Sequence, residues 1–257
     1  MPRFSINVSM MLNEHPFLDR FAAAAALGFK AVDIQLPYAF PAAEVARRVR
    51  AAGVEVVLIN VPMAEGDSRV GFASDPAARS KFRDAVAKAR EYSAAIGNAK
   101  VNVLATRPPE GLTRERALAT FAENLAYAAA AFAEDSVQAM VEFINGRDFP
   151  GFLVQTPEQA LEAIDAAGHP NLALQFDLYH RQVMQGNVIE GVRAHLPRIA
   201  HIQFADNPGR HEPGTGELNY APIFAAIDAM GYTGWLGAEY MPTRATGETL
   251  AWMRRSA

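Results

Sequence analysis

The chain has 257 residues, half of them hydrophobic and one fifth charged, with a formal net charge of −4. That length can bury a large core without covalent staples, and the absence of cysteine excludes disulfides, thiolate metal sites and a cysteine nucleophile. The small negative balance argues against a duplex-binding surface, which needs a clustered basic face, so no nucleic-acid partner is expected.

Met1-Pro2-Arg3-Phe4 runs straight into a strand-like segment, without the charged-then-apolar pattern of a signal peptide. No apolar run reaches the roughly 18 to 20 residues that a membrane span needs. A cytoplasmic protein with no membrane partner is the expectation. The first strand is predicted at 4–8 and the first helix at 16–27, halted by Gly28. A strand at 31–36 precedes a helix at 41–52, which has Pro41 at its start and Gly53 at its end. The third strand is 54–61; Ser74-Asp75-Pro76 then opens a long helix that stops at Gly97. Strand 100–105 precedes a helix opened by Thr113, and strand 138–144 precedes one opened by Thr156 and stopped by Gly168. Strands at 172–178, 199–205 and 235–241 alternate with helices at 187–195, 220–230 and 246–255. These strand runs are rich in Val, Ile, Leu and Phe, which suits parallel strands buried on both faces.

Eight strands alternating with eight helices predict an α/β protein: one (β/α)₈ TIM-barrel domain spanning 1–257. An open doubly wound sheet would place a glycine-rich phosphate loop after its first strand. Here that position holds Ser9-Met10-Met11-Leu12-Asn13. Active sites of such barrels form at the C-terminal ends of the strands. Four successive strands each carry a polar residue late in an apolar run: Glu142, Asp177, Gln203 and Glu239. Any one of them alone would be an ordinary solvated or hydrogen-bonded residue. Together, at one depth, they would aim four oxygen donors at one point. Burying three carboxylates side by side is costly without a counter-charge. A divalent metal removes the conflict, and an all-oxygen set favours Mg²⁺ or Mn²⁺ over zinc. His180 reads either as a donor to a substrate oxygen or as a structural histidine, and Arg210 either as a carboxylate-binding residue or as a solvated loop arginine; His201, two residues before Gln203, shares its inward face. Asn7, Asn60 and Asn145 are expected at strand ends near the pocket. Asn219 suits an N-cap, and Glu217 and Trp235 read as structural.

The segment Asp206-Asn207-Pro208-Gly209-Arg210-His211-Glu212-Pro213-Gly214-Thr215-Gly216-Glu217-Leu218-Asn219-Tyr220 resembles the loop after strand seven of hydroxypyruvate isomerases, in the xylose-isomerase-like barrel superfamily. Glu142-Phe143-Ile144-Asn145, Phe176-Asp177-Leu178-Tyr179-His180, Gly231-Tyr232-Thr233-Gly234-Trp235 and Glu239-Tyr240 keep that family's order and spacing across the whole chain. The resemblance implies metal binding by Glu142, Asp177, Gln203 and Glu239. It implies acid/base roles for Glu142 and Glu239, and substrate contacts from His180 and Arg210. The implied reaction converts hydroxypyruvate to tartronate semialdehyde through an enediolate, in glyoxylate metabolism. Three departures stand out: Asp33-Ile34-Gln35 where the family has Glu-Phe, a shortened loop at 63–76, and Met241 in place of a lysine.

Those departures keep a 2-oxo-tetronate isomerase open as an alternative. A ketose 3-epimerase usually carries histidine where Gln203 stands. A DNA-repair nuclease would need a histidine-rich zinc site, and this chain has six histidines. A non-catalytic sugar-acid binding protein is the reading from a different class. The expected partner is a small hydroxy-keto acid or sugar. Self-association into a homo-oligomer is common for such barrels, although no motif specifies it.

Overall fold

A computed structural model describes residues 2–64 and 71–254. Eight parallel strands close into a barrel in sequence order: Arg3–Asn7 (β1), Ala31–Asp33 (β2), Glu55–Asn60 (β3), Lys100–Asn102 (β4), Gln138–Glu142 (β5), Leu172–Asp177 (β6), Ile199–Phe204 (β7) and Trp235–Ala238 (β8). The sheet closes where Arg3 to Ile6 of β1 pair with Trp235 to Ala238 of β8. Most predicted strands overrun the observed ones at the C-terminal end. There the chain leaves the ladder and turns its last residues into the mouth.

The helices form the outer layer: Arg20–Ala26 (α1), Ala42–Ala52 (α2), Arg79–Ile96 (α3), Arg114–Glu134 (α4), Pro157–Ala167 (α5), Leu178–Met184 (α6), Val188–His195 (α7), Tyr220–Ala229 (α8) and Ala251–Arg254 (α9). The expected caps operate where a short oxygen side chain precedes a free amide. Thr113 accepts from the Arg116 N–H and Thr156 from the Gln159 N–H, both at 3.3 Å. Gly53, Gly97 and Gly168 end their helices in the left-handed conformation, which only glycine adopts cheaply. Asn219 stands at the N-cap of α8 but makes no side-chain cap bond.

Two predictions need correction. The described residues contain nine α-helices rather than eight, because α6 starts directly after β6 with Asp177 as its cap. The final predicted helix divides into a 3₁₀ turn, Thr246–Thr249, and the short α9, while residue 255 lies outside the described residues. The loop at 63–76 is described only in part, since 65–70 also lie outside.

The core lies between sheet and helices and holds Phe21, Phe82, Phe121, Phe132, Phe143 and Phe176, all essentially fully buried. Each such side chain stabilises the fold by about 1.5–3 kcal/mol. At the closing seam, Trp252 of α9 packs edge-on against Phe4 and Phe204, with ring centroids 5.0 and 5.1 Å away. That contact ties the C-terminal helix across the β8–β1 junction.

Candidate active site

Strand tilt decides which side chains meet at the mouth. Glu142 is the register partner of Gln175, Asp177 of Gln203, and Gln203 of Gly237. From Glu142 to Glu239 the acidic ladder therefore climbs by two residues twice. The climb is what tilted staves need to bring side chains to a common height. Even spacing also keeps all four on the inward face. Glu142, Asp177, Gln203 and Glu239 are all buried, at 5 % exposure or less.

Each glutamate is clamped by amides from neighbouring strand ends. Asn102 Nδ2 donates to Glu142 Oε2 at 2.8 Å. Asn7 Nδ2 donates to Glu239 Oε1 at 2.5 Å, joined by Gln35 Nε2 and Gln203 Nε2, both at 3.1 Å. The Asn7 amide is itself fixed, because its oxygen accepts the Ser9 and Met10 N–H groups. Glu142 Oε1 is buried and has no hydrogen-bond partner among the described residues. Asp177 Oδ1 caps α6 by accepting from the Tyr179 N–H at 2.8 Å, which leaves Oδ2 for the site.

Arg210 is the cation among these acids. Its Nη2 contacts Glu239 Oε2 and lies 3.2 Å from Asp177 Oδ2. Its backbone adopts φ 55°, in the left-handed region, within a loop that also contains a cis Asn207–Pro208 bond. Asp206 shapes that loop by accepting four N–H groups, from Asn207, Gly214, Gly216 and Leu218, at 2.8–3.0 Å. Gly216 has no room for a side chain, since a Cβ there would sit 2.2 Å from the Asn207 carbonyl. Glu217 is structural, as expected; it accepts from Asn207 and Gln182.

His180 lies in the first turn of α6 rather than on a loop, because Asp177 nucleates helix directly from the strand end. It is fully buried, with Nε2 3.5 Å from Asp177 Oδ2 and 4.0 Å from Glu142 Oε1. One ligand-type atom from each of Glu142, Asp177 and His180 lies within 4.8 Å of the others, so the three stand as a possible cation site.

Crowding and burial set the proton affinities. Burial, reinforced by Glu239 and Asp177, lifts the Glu142 carboxyl well above its ordinary value. Burial also raises Glu239, to about 7, and Arg210 partly opposes the rise. Asp177 is raised by burial against the pull of Arg210. His180 falls well below its ordinary value through burial and then the nearby Arg210 charge, so it is neutral near pH 7.

A cavity of about 140 Å³ opens above this cluster. Gln35, Asn60, Glu142, Arg210 and Glu239 give it polar walls, faced by Met63, Leu104, Phe149 and Phe152. Beneath the cluster, His201 Nε2 lies 2.9 Å from Asp33 Oδ2, and Ser5 donates to Asp33 Oδ1 at 2.9 Å. His201 is thus the barrel-core histidine expected from its spacing.

Met241 is half exposed, at 49 %, and hydrogen-bonds through its backbone to Arg210 and His211. Trp235 starts β8 at the opposite end of the barrel, under Arg3. Sequence reading missed the parts played by Asn102, Gln35 and Gln175. Asn102 ends β4 as Asn7 ends β1, and Gln175 precedes Asp177 by two residues on the same face. Applying the late-strand rule to β4, and the period-two rule within β6, finds both.

Residues 21–256 match the family described as xylose isomerase-like TIM barrel. A 2-oxo-tetronate isomerase of Cupriavidus necator is 43% identical over 257 residues, which covers 99% of this chain and 98% of that protein. A hydroxypyruvate isomerase of Escherichia coli is 40% identical over 254 residues, covering 98% of each. Among solved structures, an AP endonuclease, family 2 from Brucella melitensis superposes with a TM-score of 0.95 at 36% identity, covering 99% of this chain and 98% of that one. An L-ribulose 3-epimerase, at 23% identity and a TM-score of 0.78, covers 99% of this chain and 86% of that one and shares the fold.

Proposed function

This chain belongs to the xylose isomerase-like TIM barrel family, and from that premise we propose that it is a metal-dependent isomerase of a short hydroxy-keto acid. Hydroxypyruvate, converted to tartronate semialdehyde, is the first substrate to test. The observation that carries the reading is the pair of buried glutamates, Glu142 and Glu239, facing one small cavity with Asp177 between them. Relatives named for isomerisation of such acids, similar over nearly the whole chain, support it.

The donor set fits a divalent cation. Of the three buried acids only Asp177 and Glu239 pair with the Arg210 guanidinium, and Glu142 Oε1 has no hydrogen-bond partner among the described residues. Glu142, Asp177 and Glu239 would hold the ion with carboxylate oxygens, a set suited to Mg²⁺ or Mn²⁺. Gln203 can join only after its amide turns over. Its oxygen now accepts from Gln175 Nε2 at 2.6 Å, while its nitrogen faces Glu239 and Asp33. Gln175 would have to turn with it, and its Oε1, buried and without a hydrogen-bond partner among the described residues, would then accept from Gln203. When bound, the cation supplies Lewis acidity that stabilises negative charge on two adjacent substrate oxygens.

The protein's own groups move the proton. Glu142 on β5 and Glu239 on β8 both line the cavity, so one would abstract a carbon-bound proton and the other serve the neighbouring carbon. Their raised affinities suit carboxylates that must take a proton near neutral pH. Arg210 and His180 orient the substrate oxygens. The apolar wall of Met63, Leu104, Phe149 and Phe152 excludes water from the intermediate.

A second reading, 2-oxo-tetronate as substrate, is favoured by two observations. Methionine stands at position 241, and the relative at 43% identity carries that name. Assaying hydroxypyruvate, 2-oxo-tetronate and simple ketoses, with and without chelator, tests both. Turnover of one acid, lost with chelator and restored by Mg²⁺ or Mn²⁺, is expected. Turnover that survives chelator, or turnover of ketoses alone, would reject the proposal. A cytoplasmic location belongs to the same proposal. Among the described residues, no helix is long and apolar enough to cross a membrane.

A further inference from the structure

We propose that Asn145 is a positioning residue that holds His180 with its proton on Nε2, so that His180 meets the site as a hydrogen-bond donor rather than as a metal ligand.

Geometry alone leaves both roles open, since His180 stands with Glu142 and Asp177 in one possible cation site. The far side of the ring decides between them. Asn145 Oδ1 accepts the backbone N–H groups of Arg147 at 3.1 Å and Asp148 at 2.8 Å. Neither of those donors can become an acceptor, so the orientation of the Asn145 amide is fixed. Its Nδ2 then faces His180 Nδ1 at 2.8 Å and Asp148 Oδ2 at 3.0 Å. The Asn145 backbone N–H also points at Nδ1, at 3.4 Å. A nitrogen that meets two N–H donors must offer its lone pair, so the ring proton resides on Nε2.

The near side agrees. Across the site Nε2 faces two carboxylate oxygens, Asp177 Oδ2 at 3.5 Å and Glu142 Oε1 at 4.0 Å. An N–H there faces acceptors, whereas a bare nitrogen would face two negative oxygens. Nε2 is buried without a hydrogen-bond partner among the described residues, which leaves its proton for an incoming oxygen. The brace extends further: Tyr179 donates to Asp148 Oδ2 at 2.6 Å, and the Arg210 guanidinium lies over the Tyr179 ring at 5.3 Å. One turn, Asn145 to Asp148, therefore orients both residues assigned to substrate oxygens. It also withholds a nitrogen ligand, which keeps the cation site all-oxygen and biased against zinc.

The consequence for substrate rests on the isomerase reading; the tautomer does not. Long-range ¹H–¹⁵N NMR of the histidines in metal-free protein near pH 7, with the His180→Gln variant for assignment, reads the tautomer directly. The expected result is a proton on Nε2 and a bare Nδ1; a proton on Nδ1 overturns the proposal whatever the substrate assays show. The charge-conserving double variant Asn145→Asp/Asp148→Asn presents an acceptor to Nδ1 and should reverse the tautomer. Calorimetry should then show zinc binding tightened by about 10–100-fold relative to Mn²⁺, with kcat reduced. An unchanged tautomer in a folded double variant would also overturn the assignment. If that variant does not fold, the wild-type spectrum still decides.

Discussion

Glu142 and Glu239 are held in different ways, and the difference sets what each can do. Glu239 Oε1 accepts three amide N–H groups and Oε2 meets Arg210, whereas Glu142 accepts one amide and keeps an oxygen bare. Replacing either by glutamine should keep the fold, since it removes like-charge crowding, and should lower kcat by about 10²–10⁴-fold. Full activity in either variant would remove that residue from the mechanism. Glu239, raised to about 7 from an ordinary 4.5, keeps its proton across a window in which the unfolded chain has lost its own. The metal-free protein therefore loses stability as pH rises through that window. Cation binding needs the ionised carboxylate, so titration at pH 6 should release a proton that titration at pH 8 does not. Calorimetry in buffers of different ionisation heat measures the release. Equal release at both values would show that Glu239 is not the linked group.

Strand ends and helix starts do the positioning, and β6 shows how. Asp177 finishes a strand, caps α6 and turns one oxygen to the site. Asp177→Asn should keep most of the cap, while Asp177→Ala should cost about 1 kcal/mol more in denaturant unfolding. A similar economy holds at β8. A Cβ on Gly237 would lie 2.2 Å from Asp33 Oδ2, so Gly237→Ala should displace the Asp33–His201 pair and destabilise the fold by about 1–3 kcal/mol. The sequence made the strands legible, because eight apolar runs recur between capped helices, and the four site candidates stood out as polar residues late in successive runs. α6 was not legible: Leu178–Met184 spans two turns, too short for an apolar stripe to declare itself. Nor were the roles of Asn102, Gln35 and Gln175, because an amide reads as a clamp only once the strand register shows which carboxylate it faces.

At the scale of the molecule, the barrel gathers its unfavourable charge in one place. Buried acids at the mouth are partly offset by Arg210, and a bound cation would relieve the remaining conflict. Loading Mg²⁺ or Mn²⁺ to about 100 times its Kd should stabilise the fold by about 2.7 kcal/mol. For a chain of this size that raises Tm by roughly 5–10 °C, and chelator should reverse it. A thermal scan that does not move would mean no ion binds the native state preferentially.

The four N–H groups gathered on Asp206 bear on how this scaffold can be redesigned. They make the segment from 206 to 218 a preformed buckle that holds Arg210 against Asp177 and Glu239. Grafting or trimming that segment would undo the pose as a unit. Attempts to widen the range of accepted acids should therefore leave the buckle intact and carve the facing wall at Met63, Leu104 and Phe152, where side chains can shrink without loosening the arginine.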